Sequence, residues 1–258
     1  MSIVSPMVDT TVSPQRALLE VVVVHPRDVA GADEGGADRL QVVAGGASGE
    51  MSPETSLVSS VCKESDVSVR VVLRLNEGLS TTGGELTRLV GLAEDYLSMG
   101  AEGVAFGFLD LDLEIDVEVC THLADQLPGV PWTFHRAIDS ALSTDRAWRQ
   151  VRTLPRLDAV HSAGSPQGLD TGFDDLVTLA GSDPGIATLL LAGGGLRGEH
   201  VPWLVRAGVH QFHVGSSVRP GGSWTKAYVD AGLVRSWRML LDDAVDRARE
   251  AAVRPDPE

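Results

Sequence analysis

Two apolar runs late in the chain decide the fold: Leu189-Leu190-Leu191-Ala192-Gly193-Gly194-Gly195 and Gln211-Phe212-His213-Val214-Gly215-Ser216-Ser217. Each is a short hydrophobic stretch broken by glycine and followed by a polar, helix-periodic segment, the pattern of a buried parallel strand. Consecutive strands that both finish in Gly/Ser turns are what a (β/α)8 barrel places after its seventh and eighth strands. There, bare backbone N–H groups can surround a phosphate or another anion. A second, plainer role stays open, in which these glycines only close tight turns, since no neighbouring lysine marks a phosphate.

Upstream, the alternation of strand and helix repeats. Residues 17–24, 38–43, 69–74, 103–107, 132–135 and 158–161 read as the first six strands, with helical spacing between them. Met51-Ser52-Pro53 predicts a helix start, with serine as N-cap and proline in the first turn. Gly36, Gly100 and Gly208 each sit between a helix and a strand, as C-cap glycines do, on what becomes the lower face of a barrel. Residues 1–16 read as a loose leader, 17–253 as one α/β domain and 254–258 as a tail.

Eight β/α units in 258 residues, with no linker between them, favour a single closed (β/α)8 TIM barrel over an open sheet. No GxGxxG follows the first strand, which weakens a dinucleotide-binding sheet further. The hydrophobic share, 43%, suits a globular protein with a sizeable core. Twenty-one basic against 36 acidic residues give a net charge of −15, which argues against nucleic acid or an anionic membrane as partner. The N-terminus lacks the basic-then-apolar pattern of a signal peptide, and no run is long enough to span a bilayer. Cys62 and Cys120 stand far apart without metal-ligand or disulfide spacing, so the reading is cytoplasmic, with both cysteines as packing residues.

In a barrel, chemistry gathers at the C-terminal strand ends. Those ends carry Arg74, Asp110, His135-Arg136 with Asp139, His161-Ser162, Gly194-Gly195, and His213 with Ser216 and Ser217. Glu20 and Gln41 lie within strands one and two, where alternation points them inward, and a buried Glu20 needs a cation such as Arg39 or Arg74. His135, Asp110 and Glu20 are the catalytic candidates. Arg74, Arg136, Asp139, Ser162, Gly194, Gly195, His213, Ser216 and Ser217 are the ligand-binding ones. His135, His161 and His213 could also converge on a metal, although separations this long do not fix that geometry, and the metal stays unknown. The five tryptophans show no stripe and read as helix packing, while Pro220-Gly221-Gly222-Ser223-Trp224 fits either a loop over the mouth or a subunit contact.

Several stretches together resemble the CutC family. They are Leu18-Leu19-Glu20, Gly36-Ala37-Asp38-Arg39-Leu40, Phe108-Leu109-Asp110, Thr133-Phe134-His135-Arg136-Ala137-Ile138-Asp139, Ser162-Ala163-Gly164, Ala192-Gly193-Gly194-Gly195 and His213-Val214-Gly215-Ser216-Ser217. The resemblance implies a self-associating cytoplasmic TIM barrel with a polar pocket at the strand ends and a part in copper homeostasis. Copper as a cofactor is implied by that label alone. The family's Glu-Leu-Cys on strand two reads Gln41-Val42-Val43 here, and its Arg-Pro-Arg after strand three reads Arg74-Leu75-Asn76. Copper binding by that cysteine, and acid/base work by that carboxylate, therefore do not carry over.

Three functions follow as expectations. One is a CutC-like protein of copper homeostasis. Another is a lyase, isomerase or hydrolase acting on a small anionic or phosphorylated metabolite, and the last is a non-catalytic scaffold.

Overall fold

The computed structural model describes residues 16–45 and 50–253. Eight parallel strands pair in sequence order and the eighth returns to the first, closing the barrel. They are β1 (Leu18–Val23), β2 (Arg39–Val42), β3 (Ser68–Val72), β4 (Gly103–Phe106), β5 (Trp132–Phe134), β6 (Leu157–Ser162), β7 (Leu190–Ala192) and β8 (Gln211–Val214). The helices alternate with them: α1 (Asp28–Gly35), α2 (Thr55–Glu64), α3 (Gly83–Ser98), α4 (Val117–Asp125), α5 (Thr144–Val151), α6 (Leu169–Ser182), α7 (Pro184–Leu189), α8 (Val201–Arg206) and α9 (Ala231–Val253).

Every strand expected from the sequence forms, and two helical expectations change. Proline 53 does not lie in the first turn of α2, which starts at Thr55. Ser52 instead accepts a hydrogen bond from the Arg74 N–H, so its hydroxyl serves the neighbouring strand's end and not a cap. An unexpected short helix, α7, precedes β7; Asp183 caps it and Pro184 opens it. The glycine turns of the lower face behave as expected, with φ of +92° at Gly36, +108° at Gly100 and +92° at Gly208. The 1–16 leader, except Arg16, and the 254–258 tail lie outside the described residues.

Side chains at alternate strand positions separate into two cores. Those facing outward build a large apolar layer between sheet and helices, in which Trp132 stacks on Phe106 at 4.0 Å. Each fully buried valine or leucine there contributes roughly 1.5–3 kcal/mol. Inside the barrel a small apolar cluster of Val22, Val43, Val72 and Ala105 fills one part. Polar and charged side chains fill much of the remaining interior. Register sets Glu20 beside Arg39 on one side and His213 on the other, and Gln41 beside Arg70. Arg70 bonds Thr133 and Asp158, so a charged column runs through the barrel. Among the tryptophans, Trp132 and Trp148 pack as expected. Trp203 is 55% exposed, and Trp224 departs from helix packing by lining the mouth.

Candidate active site

The column ends at the barrel mouth. Glu20 is fully buried and holds two cationic partners: Arg39 bonds Oε2, and His213 Nδ1 lies 2.8 Å from Oε1. Burial alone would raise the Glu20 carboxyl, but Arg39 and His213 bring it down to about 2. A carboxylate so held requires the proton of His213 to sit on Nδ1. The far nitrogen of His213, Nε2, faces Glu50 Oε1 at 3.7 Å. Burial disfavours the charged ring, yet the two carboxylates raise His213 to about 9.

His161 packs against His213 with ring centroids 4.0 Å apart, and neither of its ring nitrogens has a hydrogen-bond partner among the described residues. Burial, with the charge of His213, lowers it well below the ordinary histidine range. His135 accepts the Ala137 N–H at Nδ1, 3.1 Å, which leaves the proton on a buried, unpartnered Nε2. Burial, with Arg74 nearby, lowers His135 to about 4, so the ring is neutral. The Gln41 amide is also buried without a partner among the described residues.

His161 and His213 line a cavity of about 130 Å³, and His135 and Gln41 are not among its lining residues. Its wall includes Glu50, Arg136, His161, His213, the Gly194–Leu196 turn, Ser216, Ser217 and Trp224. Of the Pro220–Trp224 loop, Trp224 reaches the cavity wall. Trp224 stacks under the Arg219 guanidinium at 4.9 Å, and Arg219 is locked to Asp28 by two bonds of 2.8 and 2.9 Å.

Arg136 is aimed by Asp139. That carboxylate accepts Arg136 Nε at 2.8 Å together with the Ser162 hydroxyl and the Ala163 N–H, while the Ser165 carbonyl takes Nη2. Nη1 has no hydrogen-bond partner among the described residues. Gly194, at φ +74°, lies against the guanidinium, and a Cβ there would stand 2.8 to 2.9 Å from its atoms.

Six expected residues thus meet at one opening: Arg136, Gly194, Gly195, His213, Ser216 and Ser217. Glu20, Asp139 and Ser162 stand behind them as support. Arg74 and Asp110 are not brought to the cavity. Arg74 spends its guanidinium on the carbonyls of Asn76, Glu77 and Gly78, and Asp110 accepts the N–H groups of Asp112 and Glu114 in its own loop. Of the three histidines considered for a metal, His161 and His213 cluster with Glu50 and His135 is not in that set. Glu50 and Trp224 had not been singled out as site residues. The only signal for Glu50 was its place after strand two, where barrel mouths draw their loops.

A CutC family protein of an Enterobacter species is 25% identical over 231 residues, 88% of this chain and 90% of that one. One from Bacteroides fragilis is 28% identical over 225 residues, covering 83% and 87%. Among solved structures, the CutC protein of Streptococcus agalactiae, named for copper homeostasis, superimposes with a TM-score of 0.68 at 20% identity, over 77% of this chain and 98% of that one. Within the described residues no helix is long and apolar enough to cross a membrane. The family model for CutC matches residues 17–218, and the chain belongs to the CutC family.

Proposed function

We propose that the barrel mouth is the active site of an enzyme, a lyase, isomerase or hydrolase, acting on a small anionic, phosphorylated metabolite. One observation carries the reading: the Arg136 guanidinium, whose Nη1 has no hydrogen-bond partner among the described residues, lies against a glycine turn and shares the cavity with His161, whose ring nitrogens have none among those residues either. Buried polar groups ordinarily find partners, and those left over at a cavity floor suit a ligand. Arg136 and the backbone N–H groups after β7 and β8 hold the anion, in a cavity sized for a small head group. His135, neutral with a proton on Nε2, moves protons at the reacting centre.

Thermal-shift titration with inorganic phosphate and 3-phosphoglycerate tests this. A saturable rise in melting temperature is expected, lost in Arg136→Ala. No rise with either anion contradicts the reading.

Family membership and the named neighbour favour a second reading, a part in copper homeostasis. The thiols do not fit Cu(I) in this mouth, because soft thiolate ligands are what that ion selects. Burial pushes Cys120 up to about 12 and raises Cys62 as well, and neither lines the cavity. Anaerobic competition against a strong Cu(I) chelator is expected to show no copper taken by the protein. Stoichiometric capture would restore direct binding.

A further inference from the structure

We infer that Glu50, His161 and His213 form a site for a divalent transition ion of the borderline class, with Zn2+ as the ion it suits. One ligand atom from each of the three lies within 4.8 Å of the other two. Two imidazoles and a carboxylate are a donor set that binds zinc in catalytic sites, with a fourth position left open.

Three further observations point to an ion. The first is the spacing of His213 Nε2 and Glu50 Oε1. At 3.7 Å they are too far apart for a good hydrogen bond, but two ligands that each stand about 2.0–2.2 Å from a shared zinc fall at such a separation. The second is the support behind His213. A metal-bound histidine characteristically gives its other N–H to a carboxylate, and His213 Nδ1 faces fully buried Glu20 at 2.8 Å. Arg39 holds the other oxygen of Glu20, so the ring is fixed from behind with Nε2 turned to the mouth. The third is His161, 1% exposed, with neither ring nitrogen partnered among the described residues. A coordinate bond supplies what protein hydrogen bonding does not.

The open position faces the cavity walled by Arg136, Gly194 and Ser216. An anion held there can reach the ion. The site shares the mouth with the enzyme proposed above but stands on donor geometry, so ion binding is measured without any anion present.

The test uses the full chain, untagged and dialysed against EDTA, titrated with Zn2+ against a chromophoric chelator and with Co2+ by visible absorption. One ion per chain is expected, with ligand-field bands of low-symmetry Co2+. Glu50→Gln and His161→Gln are expected to lose at least tenfold in affinity, and Glu20→Gln about 10–100-fold through its hold on His213. His122→Gln, on α4, should bind as the unaltered protein does. Near-UV circular dichroism checks each fold; Glu50 is on the rim and 26% exposed, so its variant reports even if His161→Gln misfolds. Absence of stoichiometric binding, or equal binding by Glu50→Gln, overturns the site. Arg136→Ala should keep the ion while losing the phosphate response, which separates this proposal from the preceding one.

Discussion

Glu20 and His213 meet across the seam where β8 pairs with β1, Oε1 to Nδ1 at 2.8 Å, so the bond that closes the barrel also aims a site residue. Its strength comes from burial. With both groups removed from water, the Glu20 carboxylate is shared between Arg39 and His213, and Glu50, 3.7 Å from His213 Nε2, supplies the second negative charge.

Removing Glu20 should therefore cost more than an ordinary core substitution. Glu20→Ala leaves Arg39 buried without its counter-ion and His213 with Glu50 alone. Equilibrium urea unfolding is expected to show a loss of about 3–5 kcal/mol. A loss under 1 kcal/mol would mean that water reaches the interior and solvates both cations.

Gly194→Ala should damage the anion grip through two effects. The backbone at φ +74° strains any side chain, and the added methyl presses on the Arg136 guanidinium. The expected stability cost is about 1–3 kcal/mol, with the phosphate-induced thermal shift lost. Retention of the full shift would show that Arg136 does not hold the anion.

His135 should leave a mark on the pH dependence of stability. Its folded value is about 4 against 6.5 for the free ring, so the unfolded chain takes up a proton first as pH falls. Stability contributed by the neutral ring is present above pH 6.5, declines as pH drops towards 4 and is gone below it. In EDTA-treated protein, His135→Gln is expected to flatten this decline by up to one proton, on the order of 3 kcal/mol across the window. Parallel curves for the two proteins would place His135 in contact with solvent.

Cys120 should resist modification in the folded state. It is fully buried in α4, and burial holds its thiol near 12, so little thiolate exists at neutral pH. Ellman's reagent is expected to react slowly with Cys62 in the native protein and with both thiols after denaturation. Rapid native reaction of two thiols would contradict the packing of α4.

The strands were legible because apolar runs bounded by Gly turns have few other readings. Alternation also turned Glu20 inward, where it needs Arg39 or Arg74 as a partner, and the structure pairs it with Arg39. What the sequence withheld was competition for polar groups. Nothing in the order of residues shows that Arg74 is consumed by carbonyls of its own loop, or that Asp110 closes a turn with Asp112 and Glu114. The Ser52-Pro53 helix start failed similarly, because the Ser52 hydroxyl had a better use beside β3. Glu50 was hidden because its partner, His213, stands on the other side of the closing seam. The start of α7 was readable: Asp183-Pro184 is a capping residue followed by a first-turn proline.

The mouth as a binding site for an anion is tested most directly by a crystal structure of the protein grown in saturating phosphate. Phosphate is expected over His161 and His213, bonded to Arg136 Nη1 and to backbone N–H groups of the Gly194–Leu196 and Ser216–Ser217 turns. A mouth free of phosphate under those conditions, or one closed by Arg136 and Trp224 packing together, would contradict it.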